Sequence, residues 1–157
     1  MAITRKLHKT TEASSFPGAI PMNYKYTVGV AGEEFFKTLR DKGKFLASAC
    51  SNCGYTYMPA RMFCERCFAE IEKHFEAGLN GTLMAFTISF EGFNGEPLEQ
   101  PETFGLIQIH DTDTAIVHRL GGKFLDYMCI GSEVKAVLES KKKRKGQITD
   151  VLYFELA

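Results

Sequence analysis

The chain has 157 residues, of which 45% are hydrophobic and 24% charged, and its 19 basic and 19 acidic residues cancel to a formal net charge of zero. This is the composition of a soluble globular protein with one large domain or two small ones. Nucleic-acid-binding domains usually carry a surplus of Lys and Arg, so the charge balance argues against that class. No apolar leader or run of membrane-spanning length is present, which predicts a cytoplasmic protein without a membrane segment.

Residues 1–30 show neither helical nor strand periodicity. Pro17 and Pro21 restrict the backbone to turn and extended conformations. The segment nevertheless contains apolar and aromatic side chains such as Phe16 and Tyr24, which a purely disordered tail would not be expected to carry. We therefore predict an extended N-terminal arm over residues 1–30 that packs on its own domain or on a partner.

A helical pattern begins at residue 31 and ends at residue 42. Phe35, Phe36 and Leu39 fall on one face, and charged residues occupy the other. Gly43 supplies the left-handed residue that commonly ends a helix. The pattern predicts a short helix whose apolar stripe packs on the following segment, with docking on another subunit as the alternative.

Two Cys-x-x-Cys pairs follow, separated by ten residues: Cys50 with Cys53, and Cys64 with Cys67. Each pair places two thiolates on one tight turn, and two facing turns complete a tetrahedral four-sulfur site. We predict structural zinc, because a site filled by four protein ligands leaves no open position for water or substrate. Two disulfides and a rubredoxin-like iron site use the same residues and remain alternatives.

Strands predicted at residues 44–49 and 70–75 flank these turns and would complete a zinc ribbon. Together with the helix, this ribbon forms a first unit over residues 31–77. His74 lies near the turns, but four cysteines already fill a tetrahedron, so it is predicted to be a surface residue. The fifth cysteine, Cys129, lies among apolar residues and is predicted to belong to the core.

A turn-rich segment at residues 76–81 precedes a series of strands. Segments rich in β-branched and aromatic residues predict strands at 82–90, 104–109, 114–120, 132–138 and 148–156. Five strands predict an OB-type Greek-key barrel over residues 78–157, with a short β-sandwich as the alternative. The long connection at 91–101 is predicted to be a functional loop. The predicted fold class is therefore mainly β: an arm, a short helix, a four-cysteine zinc ribbon and a five-stranded OB-fold barrel.

Candidate catalytic groups are few. His110 precedes Asp111 and could form half of a base-and-orienter pair, but for His110 and His118 the favoured interpretation is an ordinary hydrogen-bonded residue on a strand. The four paired cysteines are already assigned as ligands. We therefore predict no catalytic residue.

Five consecutive cations lie between the last two predicted strands: Lys141, Lys142, Lys143, Arg144 and Lys145. Mutual repulsion keeps such a run in solvent, and a wet loop is the simplest interpretation. The alternatives are contacts with the phosphates of a small anionic ligand or with a nucleic-acid backbone.

The order of helix, four-cysteine ribbon and five-stranded barrel is accompanied by three short motifs: Gly81-Thr-Leu-Met-Ala-Phe-Thr, Pro101-Glu-Thr-Phe-Gly-Leu-Ile and Ile130-Gly-Ser-Glu-Val. Together these features resemble the DUF35 family over about residues 31–156. The resemblance implies a rubredoxin-like zinc ribbon joined to an acyl-CoA-associated OB fold. It also implies a non-catalytic accessory subunit in a hetero-oligomer with a thiolase-like or 3-hydroxy-3-methylglutaryl-CoA synthase-like large subunit, whose acyl-CoA site it helps to form or cover.

On this basis we expect the ribbon and helix to contact the large subunit and the barrel to overlie its CoA channel. The lysines and arginine of the basic run would then meet the ADP phosphates of the CoA ester. The competing hypothesis is a free-standing module that binds single-stranded nucleic acid, since zinc ribbons and OB barrels both do so with stacked aromatics over a basic groove. The aromatic residues here are expected mostly in the core, and the cations cluster at one tip, which favours the accessory subunit.

Overall fold

The structure is a computed structural model that describes residues 26–92, 94–123 and 125–157. Most of the predicted arm over residues 1–30 lies outside the described residues. The helix and strands in this part of the chain are α1 (Gly29–Lys42), β1 (Phe45–Ala49), β2 (Thr56–Tyr57), β3 (Lys73–Ala77), β4 (Asn80–Glu91), β5 (Pro97–Ile109), β6 (Ala115–Leu120), β7 (Glu133–Leu138) and β8 (Val151–Leu156). Short 3-10 turns span Leu125–Tyr127 and Ile148–Asp150.

Helix α1 forms as its apolar stripe predicts. Phe35 and Leu39 are only 2% and 0% exposed, so these two residues of the stripe are buried within this chain. Gly43 ends the helix with φ 66° and donates its N–H to the carbonyl of Leu39 at 3.0 Å. Phe35 and Leu39 therefore belong to the core, whereas Phe36, the third residue of the stripe, is only partly buried.

The ribbon sheet has three antiparallel strands in the order β2-β1-β3. In the central strand, Ser48 pairs with Tyr57 on one side and with His74 on the other. Strand β3 begins three residues later than the predicted strand at 70–75. The reason is that Ile71 donates its N–H to the carbonyl of Met62 at 2.7 Å, so this segment still belongs to the second cysteine turn.

The C-terminal strands form a closed barrel in the order β4-β5-β6-β8-β7. Strands β4, β5 and β6 form an antiparallel meander, β6 pairs with β8 in parallel, and β7 closes the barrel against β8 and β4. This is the five-stranded OB arrangement, so the predicted mainly β fold class is confirmed, and closure excludes the β-sandwich alternative.

The connection predicted as a long loop at 91–101 is mostly strand. Strands β4 and β5 continue beyond the barrel as a two-stranded hairpin, in which Ile88 pairs with Thr103 and Glu91 pairs with Pro97. In this outer part β5 pairs only with β4, and an edge strand tolerates proline because its outward N–H needs no partner. The predicted last strand also shortens at its start, since residues 148–150 form a 3-10 turn.

One hydrophobic core runs through helix, ribbon and barrel. The ring of Phe45 in β1 stacks between those of Phe35 and Phe154, with centroid distances of 6.1 and 6.4 Å, and all three side chains are buried. Leu83 and Ile107 continue the same cluster inside the barrel. Only two residues separate β3 from β4, so the ribbon sheet and the barrel are packed together through a shared core.

Candidate metal centre and its surroundings

Each Cys-x-x-Cys pair lies on a turn with the same backbone hydrogen bond. Gly54 donates its N–H to the Cys50 carbonyl at 2.8 Å, and Phe68 donates its N–H to the Cys64 carbonyl at 2.9 Å. These two donors occupy the same turn position and have φ of 74° and 58°. Glycine adopts this left-handed conformation freely, whereas another residue loses about 1 kcal/mol there. The turn geometry explains the glycine after Cys53 and identifies Phe68 as its strained counterpart.

The two turns face each other and bring the four predicted sulfur atoms together. The Sγ atoms of Cys50 and Cys67 lie 3.5 Å apart, as do those of Cys53 and Cys64, and all four lie within 4.8 Å of one another. Zn–S bonds of about 2.3 Å at tetrahedral angles place sulfurs about 3.8 Å apart, so the cluster fits a zinc ion. A disulfide needs about 2.05 Å, and all four cysteines are free thiols.

A buried tyrosine supports the sulfur cluster. The hydroxyl of Tyr57 lies 3.2 Å from Sγ of Cys64, and both residues are buried. Hydrogen bonding by the tyrosine lowers the pKa of Cys64 to about 6, and burial raises the pKa of Tyr57 to about 12. Because zinc binds thiolates and not thiols, a hydroxyl that donates to the sulfur favours the metal-binding form.

The turn between β5 and β6 fastens the ribbon to the barrel. The Asp113 carboxylate accepts hydrogen bonds from the backbone N–H and the hydroxyl of Thr56, both at 2.8 Å. These bonds lower the pKa of Asp113, the backbone bond most strongly. The Thr114 hydroxyl adds a donated bond to the Met58 carbonyl at 3.0 Å and accepts one from the Met58 N–H at 2.8 Å. The metal-bearing unit is therefore held at a fixed position against the barrel.

The histidines lie outside the sulfur cluster. Nδ1 of His74, predicted to be a surface residue, lies 2.9 Å from a carboxylate oxygen of the exposed Glu34, and its side chain is half-buried at 23% exposed. The partial cover comes from Glu34 of α1, which reaches this residue of β3. Nε2 of His110 lies 2.9 Å from a carboxylate oxygen of Glu133. His118 is half-buried, and burial lowers its pKa.

Cys129 is exposed, which contradicts its predicted place in the core. It lies in the turn before β7, where its backbone N–H donates to the Ser132 hydroxyl at 3.1 Å. Gly131 in this turn adopts φ 89°, and the resulting change of chain direction leaves Cys129 and Ile130 at the surface. Apolar neighbours in sequence did not indicate burial because the turn, and not a strand, sets the side-chain direction.

The basic run lies between β7 and β8, where a buried carboxylate organises it. Asp150, which is 4% exposed, accepts backbone N–H bonds from Lys145, Gly146 and Gln147 at 2.7 to 3.3 Å. Burial acts to raise the pKa of Asp150, but these three N–H groups outweigh it and the pKa is lowered. The backbone donors of residues 145–147 thus bind an internal anion and are not available to an external one.

Arg144 differs from the lysines around it. Its guanidinium donates to the Glu139 carbonyl at 2.8 Å and lies 3.5 Å from the carbonyl oxygens of Leu39 and Arg40, at the C-terminal end of α1. A cation is favourable at that end of a helix. Four exposed lysines have no ion pair within the described part of the chain: Lys141, Lys142, Lys143 and Lys145. Arg144 therefore faces the helix, and the lysines face solvent.

A cleft of about 440 Å³ opens beside the basic run, between α1 and residues 145–148. Phe36 and Ile148 contribute apolar surface to it, and Lys145 lies at its edge. The cleft therefore combines an apolar surface with neighbouring positive charge.

Among the described residues, no helix is long and apolar enough to cross a membrane.

The prediction that aromatic residues lie mostly in the core is wrong at the end of the barrel that carries the β4–β5 hairpin, away from the ribbon. Phe86 and Phe90 of β4 are 44% and 64% exposed. Both side chains lie on β4 beyond Thr82, the last residue that pairs with β7, and Phe90 also lies past the last pair between β5 and β6.

Comparisons with known proteins agree with the geometry of the ribbon. Residues 38–72 match a family model described as "ChsH2, rubredoxin-like zinc ribbon domain", and this range contains all four clustered cysteines. A search of curated proteins finds no significant match.

Solved structures extend the similarity to the barrel. A crystal structure of a protein of unknown function from the DUF35 family of Sulfolobus solfataricus is 27% identical, with a TM-score of 0.63 over 82% of this chain and 87% of that chain. A structure described as "Ltp2-ChsH2(DUF35) aldolase" has the same fold at 16% identity, with a TM-score of 0.58 over 84% of this chain and 98% of that chain. The ribbon match, the common fold and the four-sulfur cluster show that this chain carries a rubredoxin-like zinc ribbon joined to a barrel and is similar to the DUF35 family.

Proposed function

We propose that this chain is a non-catalytic, zinc-containing subunit of a thiolase-type acyl-CoA enzyme. In this proposal it docks on the large subunit of a hetero-oligomer and helps to form or cover the acyl-CoA site. The observation that carries the proposal is the four-sulfur ribbon packed through one core onto an OB barrel, in a family that also includes the DUF35 part of the Ltp2-ChsH2 aldolase. A thiolase-like or 3-hydroxy-3-methylglutaryl-CoA synthase-like protein is the proposed partner.

The metal has a structural role in this proposal. Cys50, Cys53, Cys64 and Cys67 would supply all four ligands of a zinc ion, which leaves no coordination position for substrate. Bound zinc supplies a rigid link between the two turns. The Tyr57 hydroxyl stabilises the Cys64 thiolate, and Asp113 and Thr114 hold the ribbon on the barrel.

We further propose that the exposed lysines attract the phosphates of the CoA ester. Lys141, Lys142, Lys143 and Lys145 extend from one turn, and point charges on flexible stems attract phosphate without a fixed geometry. The neighbouring cleft offers Phe36 and Ile148 as apolar surface for the adenine ring. Arg144, named with the lysines in the sequence-based hypothesis, is proposed to hold the turn against α1 instead.

The partner is tested by purifying the tagged full-length chain from its native cells and identifying co-purified proteins by mass spectrometry. A thiolase-fold protein recovered in a fixed ratio to the chain is the expected result. The isolated complex should turn over an acyl-CoA, whereas the zinc-loaded chain alone should not. Turnover of a CoA thioester by the chain alone would contradict the proposal.

The phosphate contact is tested in the same complex with Lys141→Ser, Lys142→Ser and Lys143→Ser combined. Loss of three cations near the phosphates should raise the KM for acyl-CoA by about tenfold at low salt. The rise should be smaller at high salt, because salt screens the attraction between lysine and phosphate. The matched control is Lys123→Ser with Lys135→Ser, which removes exposed cations elsewhere on the barrel. An unchanged KM in the triple variant would remove this part of the proposal.

The competing nucleic-acid hypothesis has less support from the charge distribution. OB folds bind oligonucleotides on the face of their second and third strands, here β5 and β6. Residues 77–118, which include β4, β5 and most of β6, contain six acidic residues and neither Lys nor Arg. A phosphate backbone would be repelled by this surface. Salt-dependent binding of a labelled single-stranded oligonucleotide by the purified chain would favour the competing hypothesis.

A further inference from the structure

The barrel is open at the end remote from the ribbon. Strands β4 and β7 pair antiparallel, with Asn80 opposite Lys135 and Thr82 opposite Glu133, so their C-terminal ends point in opposite directions. The β7–β8 turn with its lysines therefore lies at the ribbon end, and the β4–β5 hairpin lies at the far end. A cavity of about 240 Å³ opens at the far end, and we refer to it as the barrel mouth; its lining includes Phe86, Ile88, Thr103, Leu120, Leu125 and Met128.

A bulge in β4 directs its exposed apolar residues into this mouth. The pairing with β5 shifts register between Leu83 and Ala85, which reverses the alternation of side chains along β4. Phe86 is thereby opposite Gly105, where a Cβ would lie 2.7 Å from Leu83 and 2.9 Å from Leu120, both inside the barrel. Phe86 and Ile88 consequently point to the inner face of the sheet. Phe90 follows near the hairpin tip, where the register shifts again between Ser89 and Glu91.

The exposure of the apolar residues of β4 increases towards the hairpin tip. Leu83 is 0% exposed, whereas Phe86, Ile88 and Phe90 are 44%, 48% and 64% exposed. The gradient follows the point at which β6 stops: its last pairing with β5 is at Thr103, opposite Ile88. The apolar row of the barrel interior therefore continues onto a hairpin without a second layer to cover it.

The same hairpin, residues 88–102, is acidic. It carries Glu91, Glu96, Glu99 and Glu102 and has no Lys or Arg. Glu102 pairs with Arg119, and Glu96 accepts a backbone N–H bond from Asn94. An apolar row bordered by carboxylates repels phosphate groups, so neither nucleic acid nor an anionic membrane surface fits it. Two copies of the hairpin would also repel each other face to face.

We propose that the barrel mouth and the acidic hairpin form the surface that docks on the large subunit. The complementary surface of that partner would present an apolar side chain to enter the mouth, with Lys or Arg around it to meet the hairpin carboxylates. This inference rests on the proposed function, because the partner is the thiolase-fold subunit proposed there. It places this contact at the far end of the barrel, so the lysines at the ribbon end would meet the phosphates of a CoA ester held by another large subunit of the hetero-oligomer.

The test compares Ile88→Glu combined with Phe90→Glu against Val117→Glu. Val117 is 69% exposed and pairs with Leu106, so it lies on the outer face of the barrel. Its replacement also exchanges an exposed apolar side chain for glutamate, as in the double variant. Zinc content and melting temperature should be unchanged in all variants. Binding of the thiolase-fold subunit that co-purifies with the wild-type chain should weaken by about 30-fold or more in the double variant, and by less than about threefold in Val117→Glu. Glu91→Lys with Glu99→Lys should also weaken binding and reduce its dependence on salt.

A cross-linking experiment keeps the inference testable if the double variant fails to fold. Benzoylphenylalanine placed at Phe90 should cross-link to the thiolase-fold subunit on irradiation, and the same group placed at Val117 should not. Equal binding by wild type and double variant, cross-linking from Val117 alone, or self-association of the wild type that the double variant abolishes would overturn this docking surface and leave the proposed function intact. Failure of the wild-type chain to bind any thiolase-fold subunit would overturn both.

Discussion

Aromatic residues are buried at one end of this molecule and exposed at the other. At the ribbon end, Phe35, Phe45 and Phe154 stack in a closed core that joins helix, ribbon and barrel. At the far end, Phe86 at the barrel mouth and Phe90 near the hairpin tip are both exposed. Both sets occur in strand or helix patterns that predict burial. The difference shows that the ribbon covers one end of the barrel and that the other end exposes apolar side chains, which is where we propose the docking surface.

The metal gives the largest test of this comparison. Removal of zinc with a chelator, or Cys64→Ser, should unfold the ribbon and the core that it shares with the barrel. Structural zinc contributes about 10 kcal/mol or more in small ribbons, comparable to the total stability of a domain. Thermal unfolding with and without chelator, together with metal analysis, checks the prediction. The holo protein should be colourless, since an iron tetrathiolate would be red. An unchanged melting temperature in the metal-free chain would contradict the prediction that zinc holds the ribbon and the shared core together.

The same substitution at the two ends should have very different effects on the isolated chain. Phe45→Ala removes the middle ring of the buried stack and should lower the free energy of unfolding by about 4 kcal/mol. Phe90→Ala should lower it by less than about 0.5 kcal/mol, because its side chain is mostly in solvent. Chemical denaturation of both variants provides the measurement. Similar losses would show that the far end is not an open surface.

At the ribbon end, the organisation of the basic turn by Asp150 can be tested separately from its lysines. Asp150→Asn weakens the bonds to three backbone N–H groups and should cost about 2 kcal/mol of stability. Combined Lys141→Ser and Lys142→Ser should leave the stability nearly unchanged, because both side chains are exposed. Urea unfolding distinguishes the two. If the lysine variant is the less stable one, the turn is not held as described.

The smallest effect concerns the ion pairs that join α1 to the ribbon sheet. Hydrogen bonds from Lys42 and Lys44 lower the pKa of Glu76 from its ordinary value of 4.5 to about 2. A carboxylate with a lowered folded-state pKa stabilises the fold above its unfolded value and loses this contribution as the pH falls towards the folded value. Glu76→Gln should therefore be less stable than Glu72→Gln at about pH 6, and the difference should shrink below about pH 4.5. A difference that grows on acidification would contradict this.

The parts of the structure that depend on local chain geometry could be predicted from the sequence. Two Cys-x-x-Cys turns bring their own sulfurs together, because each turn is completed within five residues by bonds such as Gly54 N–H to the Cys50 carbonyl. Helix α1 ends at Gly43 for a similarly local reason. The five barrel strands follow from β-branched and aromatic segments, and their order agrees with the OB prediction.

The parts that depend on pairing between distant residues could not be predicted. The bulge beside Leu83 is set by the register with β5, and it decides which half of β4 faces inward. In the sequence, Arg144 is one of five consecutive cations that look equivalent. In the structure, it alone lies at the C-terminal end of α1. Asp150 resembles any acidic residue in a turn, although it organises the backbone of the basic run. The direction of a side chain and its long-range partners therefore had to come from the structure.

The aromatic stack determines which piece of this protein could be transplanted. A fragment cut at the limits of the recognised ribbon, residues 38–72, would take Phe45 with it and leave Phe35 and Phe154 behind. A chimera that joins a foreign ribbon to this barrel must therefore bring its own helix or redesign the last strand. The unit that folds with its core complete is the whole span from α1 to β8.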